Sequence, residues 1–130
     1  MNHDALHLSV RREGDVLLLR PSGELSWNTV SPLREWLAAY ERRPAPVTVV
    51  DLSAVTGLDA VGLSVLLSAR VRVSGRALAY AAPATVVADM LHVTGVAAHV
   101  TLYDSVQAAT AAISAGRNGQ TGGLRAPHVA

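Results

Sequence analysis

The sequence predicts one α/β domain with a mixed, mostly parallel sheet of five strands and about four helices. From residue 31 onward, segments of helical periodicity alternate with short apolar or β-branched runs such as residues 47–50. A hairpin precedes them, and the strand–helix units that follow it require parallel strands. The length of 130 residues fits a single domain with a sizeable core.

The first part of the chain predicts the hairpin. Apolar and polar residues alternate over residues 6–10, which indicates a half-buried strand, and residues 12–15 supply turn chemistry. Residues 16–19 are continuously apolar, as in a strand that is covered more fully. We expect residues 21–23, Pro-Ser-Gly, to end this second strand.

A helix that covers the sheet is predicted to follow the hairpin. Ser31 is a good N-cap, and Pro32 fits the first helical position because its missing N–H is not needed there. Trp36 flanks the apolar face of this helix, so we expect it to pack. Trp27 lies in the preceding loop and is more open to a role in recognition.

Three further strand–helix units are predicted. Their strands lie at residues 47–50, 77–81 and 100–103, and their helices begin near Val61, at Pro83 and after Asp104. Asp104 is predicted to cap the last helix, with Gln107 three residues later. We assign residues 1–116 to the domain and residues 117–130, which lack apolar periodicity, to a disordered tail.

Composition and charge exclude several classes of function. Half of the residues are apolar, but no run of about eighteen is free of charge, Pro or His, so no membrane insertion is expected. The net charge is +1 and the Arg residues are scattered, which argues against nucleic acid as a partner. Cysteine is absent, and residues 1–7 do not resemble a signal peptide. We therefore expect a cytoplasmic protein.

The sequence contains no complete catalytic or ligand-binding motif of the common kinds. Residues 62–66 approach the nucleophile elbow but lack its second Gly, and they place Ser64 within a helix. The phosphate-binding Gly-x-x-x-x-Gly-Lys pattern is absent, and the five His residues are not paired at metal-ligand spacing. The sequence therefore predicts no enzyme, no cofactor and no metal site.

The most informative stretch is residues 47–63, where a buried strand leads through a polar connector into a helix. In open α/β sheets, ligands and partners meet the carboxyl ends of strands and the neighbouring helix N-termini. Asp51 and Asp59 flank the connector, one at a strand end and one at a helix start, where carboxylates usually have structural roles. We place the functional site here.

Several motifs resemble those of the STAS domain, a family named for sulfate transporters and anti-sigma factor antagonists. Residues 51–53, Asp-Leu-Ser, resemble its signature together with Asp59 and the Gly-Leu pair at 62–63. Residues 23–25, Gly-Glu-Leu, resemble a second landmark, which usually continues with Asp where this chain has Ser26. The order of elements is also that of the STAS fold, so the resemblance covers about residues 6–115.

The resemblance implies a phosphorylation switch whose acceptor is missing. In the family, a partner kinase phosphorylates the hydroxyl just before the Gly, but the two hydroxyl positions here are Ala60 and Val61. Thr56, in the predicted loop, is the best-placed substitute. Since Val61 has no oxygen to accept phosphate, the resemblance implies an antagonist that stays in its binding-competent form.

The implied function is protein–protein binding in partner-switching control of a bacterial sigma factor. The implied partner is an anti-sigma factor with a histidine-kinase-like ATPase fold. We expect the contact surface to comprise Glu24, Ser26, Leu58, Asp59, Ala60, Val61, Gly62 and Leu63.

Three alternatives remain open at this point. The chain could be a subunit that modulates a transporter or lipid-transport complex, because STAS domains also occur there. It could be a STAS scaffold whose loop has lost its role. A module that binds a small molecule or nucleotide at the second helix N-terminus is less well supported, because neither Lys nor a Gly-rich cradle is present. The sequence leaves the oligomeric state open.

Overall fold

The fold is an α/β sheet with helices on both faces. The computed structural model describes residues 6–40, 47–72 and 77–118. The strands are β1 (His7–Glu13), β2 (Val16–Leu25), β3 (Val47–Asp51), β4 (Val55–Leu58), β5 (Ala77–Ala81) and β6 (Leu102–Tyr103). The helices are α1 (Ser31–Tyr40), α2 (Ala60–Arg72), α3 (Thr85–Val93) and α4 (Val106–Asn118), with a 3₁₀ helix at Val96–His99.

The sheet is mixed and mostly parallel, which confirms the predicted class. Its main path runs β1-β2-β3-β5-β6, with β1 at one edge. Only the β1–β2 hairpin is antiparallel among the described strand pairs; β2, β3, β5 and β6 pair in parallel. The crossovers between parallel strands carry the helices, as the strand–helix alternation in the sequence indicated.

The additional strand β4 corrects the prediction that the whole connector before α2 is a loop. β4 pairs in parallel with the end of β2, where Gly23 lies opposite Val55 and Leu25 opposite Leu58. The register shifts between Gly23 and Glu24. Because β2 continues to Leu25, residues 21–23 do not end it, and the strand reaches the functional site.

Two apolar layers cover the sheet. One packs α1, α2 and α3 against one face, and its fully buried members include Leu25, Leu33, Leu52, Val55 and Leu91. The other packs α4 against the opposite face through Ala109, beside Val47 and Val49. Because both faces are covered, the first four residues of β3 are all buried and β-branched, and exposed and buried positions do not alternate.

The start and end of α4 differ from the prediction. The N–H of Ala108 donates to Ser105 Oγ at 2.9 Å, so Ser105 rather than Asp104 provides the side-chain cap. The helix continues through Asn118, two residues into the segment predicted as a tail. Residues 119–130, the rest of that segment, lie outside the described residues.

Candidate partner-binding site

Three segments meet at the carboxyl end of the sheet: the end of β2, the end of β4 and the start of α2. Leu25 pairs with Leu58 in the parallel ladder, and the N–H of Asp59 donates to the carbonyl oxygen of Leu25 at 3.1 Å. The chain then turns directly into α2 at Ala60. The extra strand β4 therefore fixes the start of α2 beside the loop that follows β2.

The carboxylate of Asp59 joins this loop to the helix. Asp59 Oδ1 accepts a hydrogen bond from the N–H of Gly62 at 2.8 Å, which is N-cap geometry. Asp59 Oδ2 accepts from the N–H of Trp27 at 3.0 Å. One side chain thus binds backbone groups on two separate elements and holds them in a fixed relation.

These hydrogen bonds lower the pKa of Asp59 below its ordinary value. The N–H of Gly62 is the largest cause; partial burial opposes it, and the N–H groups of Trp27 and Val61 add to the lowering. Each of these bonds favours the charged carboxylate over the neutral acid. Asp59 is therefore ionised at neutral pH and acts as a fixed negative charge at the site.

Acid is expected to remove the contribution of Asp59 to stability. Because its folded-state pKa is lowered, that contribution is fully present above the unfolded-state pKa and is lost as pH falls through the folded-state pKa. The Asp59→Asn variant should therefore be less stable than the wild type at neutral pH and approach it in acid. Thermal melts by circular dichroism from about pH 6 to about pH 2 measure this difference. A gap that stays constant down to the lowest pH would contradict it.

Gly62 allows α2 to lie directly against β2. A Cβ atom at this position would stand 2.0 Å from the carbonyl oxygen of Leu25 and 2.6 Å from its carbonyl carbon. Those are backbone atoms, so a rotamer change cannot relieve the contact. The glycine is therefore required by close approach, and it keeps the start of α2 against the strand that leads into the site.

The loop at residues 26–29 is braced from within. The N–H of Ser26 donates to Thr29 Oγ1 at 2.9 Å, and Ser26 Oγ donates to Asn28 Oδ1 at 2.8 Å. The Thr29 hydroxyl in turn donates to the carbonyl of Glu24 at 2.5 Å. Ser26 is only 7% exposed, so this predicted contact residue shapes the loop and does not offer its hydroxyl to solvent.

The structure brings the predicted contact residues together, but these residues differ in their exposure to solvent. Glu24, Ala60 and Val61 are exposed, Leu58 and Asp59 are half-buried, and Ser26, Gly62 and Leu63 are buried. Val61, at the position that the resemblance assigns to the phosphate acceptor, is 38% exposed on the first turn of α2. Thr56, the suggested substitute, is exposed but belongs to β4 and not to a loop.

The exposed Trp27 was not among the predicted contact residues, although its place in the loop left a role in recognition open. Its side chain is 73% exposed, while its backbone is held by Asp59. In the sequence, only its position in the loop between a strand and a helix N-cap indicated that it could be exposed. Trp36 instead stacks on Tyr40 with ring centroids 5.0 Å apart, which confirms the packing role predicted for it.

Asp51 lies outside this surface and has a local structural role. Its Oδ1 accepts from the N–H of Ser53 at 2.9 Å, which fixes the turn after β3. Its Oδ2 lies 3.7 Å from Nε of Arg20. The described residues hold no cluster of three or more side chains suited to a metal ion.

Fold and site together define a small α/β domain with an ordered, partly apolar surface at the carboxyl end of its sheet. The model of the STAS domain family matches residues 7–109, and the chain belongs to this family. No curated protein sequence matches the chain. Among the described helices, none combines the length and apolar character that a bilayer-spanning helix needs.

Solved structures agree with the family. The chain is similar to an anti-sigma factor antagonist from Mycobacterium paratuberculosis, with 26% identity over 86% of this chain and 97% of that one, and a TM-score of 0.80. A protein of Thermotoga maritima is 22% identical over 82% and 94% of the two chains, with a TM-score of 0.76. The anti-sigma factor antagonist SpoIIAA of Bacillus, in its unphosphorylated form, is 12% identical over 84% and 97%, with a TM-score of 0.70. The last two show the shared fold.

Proposed function

We propose that this protein is a non-enzymatic anti-sigma factor antagonist that works in the cytoplasm and is not switched by phosphorylation at the family position. It binds an anti-sigma factor with a histidine-kinase-like ATPase fold and so releases a sigma factor. Its similarity to solved antagonists and its membership of the STAS family support this class. The binding surface is formed by the end of β2, β4 and the first turn of α2.

One observation carries the proposal: the residues that shape the loop and the start of α2 are retained, while the hydroxyl that would accept phosphate is absent. Asp59 still caps α2, and Gly62 still permits the close approach to Leu25. Between them, Val61 occupies the position of the family hydroxyl and is exposed. The surface for partner binding is retained, but the oxygen that would accept phosphate is absent. Phosphorylation at this position therefore cannot reverse the binding.

The apolar character of the first turn of α2 also supports a protein contact. Ala60 and Val61 replace two polar side chains of the family pattern and are exposed. Because interface cores are depleted in charge and enriched in apolar area, this replacement favours a drier contact. The proposal therefore assigns Ala60 and Val61 to the part of the surface that loses water on binding.

The test is affinity purification of the tagged full chain from native cell extract, with and without ATP. We expect an anti-sigma factor with the ATPase fold to co-purify, identified by mass spectrometry, and ATP to leave its recovery unchanged. Val61→Asp should abolish recovery by placing a charge in the contact, whereas Asp at the first turn of a helix is itself well tolerated. The matched control is Val86→Asp, because Val86 is 50% exposed and also lies in the first turn of a helix, α3.

Two outcomes would count against the proposal. Loss of the anti-sigma factor on adding ATP would show reversal by modification at Thr56 or elsewhere. Recovery of a membrane transport ATPase in place of an anti-sigma factor would favour the transporter alternative and leave the fold assignment intact.

A further inference from the structure

We propose that Trp27 anchors the contact with the anti-sigma factor by inserting its indole into an apolar pocket bordered by basic side chains. This inference rests on the proposed function and deepens it, because it names the anchor residue and the chemistry of the partner surface. Exposure, rigidity and local charge each support it.

Trp27 presents the largest apolar side chain of the loop to solvent. Its side chain is 73% exposed, whereas Trp36, the other tryptophan, is half-buried against Tyr40. Tryptophan is enriched among the residues that dominate binding free energies, because its large ring gains much from leaving water. An indole held in the open at a domain's functional edge is therefore suited to anchor a partner.

The loop around Trp27 is ordered before any partner arrives. Asp59 Oδ2 accepts from the N–H of Trp27, and the flanking Ser26 and Thr29 are tied to each other and to the end of β2. A side chain on a braced loop loses less conformational entropy on binding than one on a free loop. Because less entropy is lost, more of the free energy gained by burying the indole contributes to the binding affinity.

The same carboxylate connects Trp27 to the first turn of α2. Asp59 binds the N–H of Trp27 through one oxygen and the N–H of Gly62, the residue after Val61, through the other. The Asp59 carboxylate therefore fixes the backbone at or next to both exposed residues, Trp27 and Val61. This arrangement places a large exposed side chain and a smaller exposed apolar one on two backbone segments that the same carboxylate holds.

Local charge indicates what borders the pocket that receives Trp27. The side chains assigned to the surface, which are the eight predicted contact residues and Trp27, include Glu24 and Asp59 but no Lys, Arg or His. The surface is therefore negative at neutral pH, although the whole chain has a formal charge of +1. Complementarity requires Arg or Lys around the receiving pocket, and such pairing accelerates association in a salt-dependent way.

Tryptophan fluorescence tests the burial of Trp27 directly. The Trp36→Phe variant keeps an aromatic ring beside Tyr40 and leaves Trp27 as the one tryptophan of the full chain. The probe is the anti-sigma factor recovered by the wild-type chain, produced with each of its own tryptophans replaced by Phe. On its addition, Trp27 emission should shift to shorter wavelength, and quenching by acrylamide should fall several-fold.

Affinity measurements test the energetic role. Trp27→Ala should weaken the Kd by about 30-fold, the effect of a strong interface residue, while Trp27→Phe should retain part of the affinity. Val93→Ala, which trims an exposed side chain on α3, should leave the Kd unchanged. The association rate of the wild type should fall as salt is added.

The outcomes separate this inference from the proposed function. If the anti-sigma factor binds but Trp27 emission does not shift, or Trp27→Ala binds like Val93→Ala, the inference is wrong and the proposed function stands. An association rate that is insensitive to salt would overturn the basic border. If the wild-type chain captures no anti-sigma factor at all, the proposed function fails and the inference fails with it.

Discussion

Replacing Gly62 with Ala is expected to destabilise the protein by about 3 kcal/mol, the upper part of the range for overpacked sites. Gly→Ala within a helix ordinarily stabilises by about 1 kcal/mol because it removes backbone freedom. Here the new Cβ would lie 2.0 Å from the carbonyl oxygen of Leu25, and α2 must move away from β2 to avoid it. The clash outweighs the gain in helix propensity. Urea denaturation followed by far-ultraviolet circular dichroism measures the free energy of unfolding.

The matched control for Gly62→Ala is Ser64→Ala on the same helix. Ser64 is exposed, so its replacement tests helix propensity without a steric clash, and stability should stay the same or rise slightly. Movement of α2 should also disturb the bond between Asp59 and the N–H of Gly62, and with it the brace on Trp27. Equal stability of the two alanine variants would contradict the close-approach argument.

Restoring hydroxyls at positions 60 and 61 is expected to convert an unmodified protein into a kinase substrate. The Ala60→Ser/Val61→Ser variant puts an exposed hydroxyl just before Gly62, where the family carries its acceptor. Phosphate there would put a strongly hydrated group with nearly two negative charges beside Asp59 and into the apolar part of the contact, so repulsion and the cost of desolvation should release the partner. Intact-mass spectrometry after incubation with the anti-sigma factor and ATP measures the modification.

Two comparisons make this result interpretable. The wild-type chain should remain unmodified under the same conditions, and adding Thr56→Ala to the double variant should leave phosphorylation unchanged. If the wild type is modified and Thr56→Ala prevents it, the switch has moved to β4. A kinase that binds the double variant but never modifies it would count against assigning Val61 to the acceptor position.

The order of elements was predictable because each apolar pattern reports a local periodicity. Strand β4 was not, since it spans only Val55–Leu58, includes a glycine, and depends on pairing with β2 across a register shift. That pairing joins residues about thirty positions apart, and no local pattern encodes it. The cap of α4 was misplaced by one residue because Asp104 and Ser105 are both good N-cap residues.

The candidate site was predictable where residue type restricts geometry. Asp59 was expected to have a structural role at a helix start, and it caps α2. Gly62 was expected in the contact surface, but it is buried where α2 approaches the backbone of Leu25. The exposure of Ser26 and Trp27 depends on how a short loop turns after β2. A polar Ser was buried and an apolar Trp was exposed, the reverse of what residue type alone suggests.

The edge strand β1 has a consequence for the behaviour of the protein in concentrated solution. As an edge strand, it exposes one row of backbone N–H and C=O groups that could template the strand of another molecule. Arg11, Arg12 and Glu13 occupy its second half, and an Arg11–Glu13 pair at 2.9 Å lies there. Charged side chains at an edge oppose strand addition, so these residues protect the protein from aggregation. Variants that neutralise them should lose solubility before they lose folding stability.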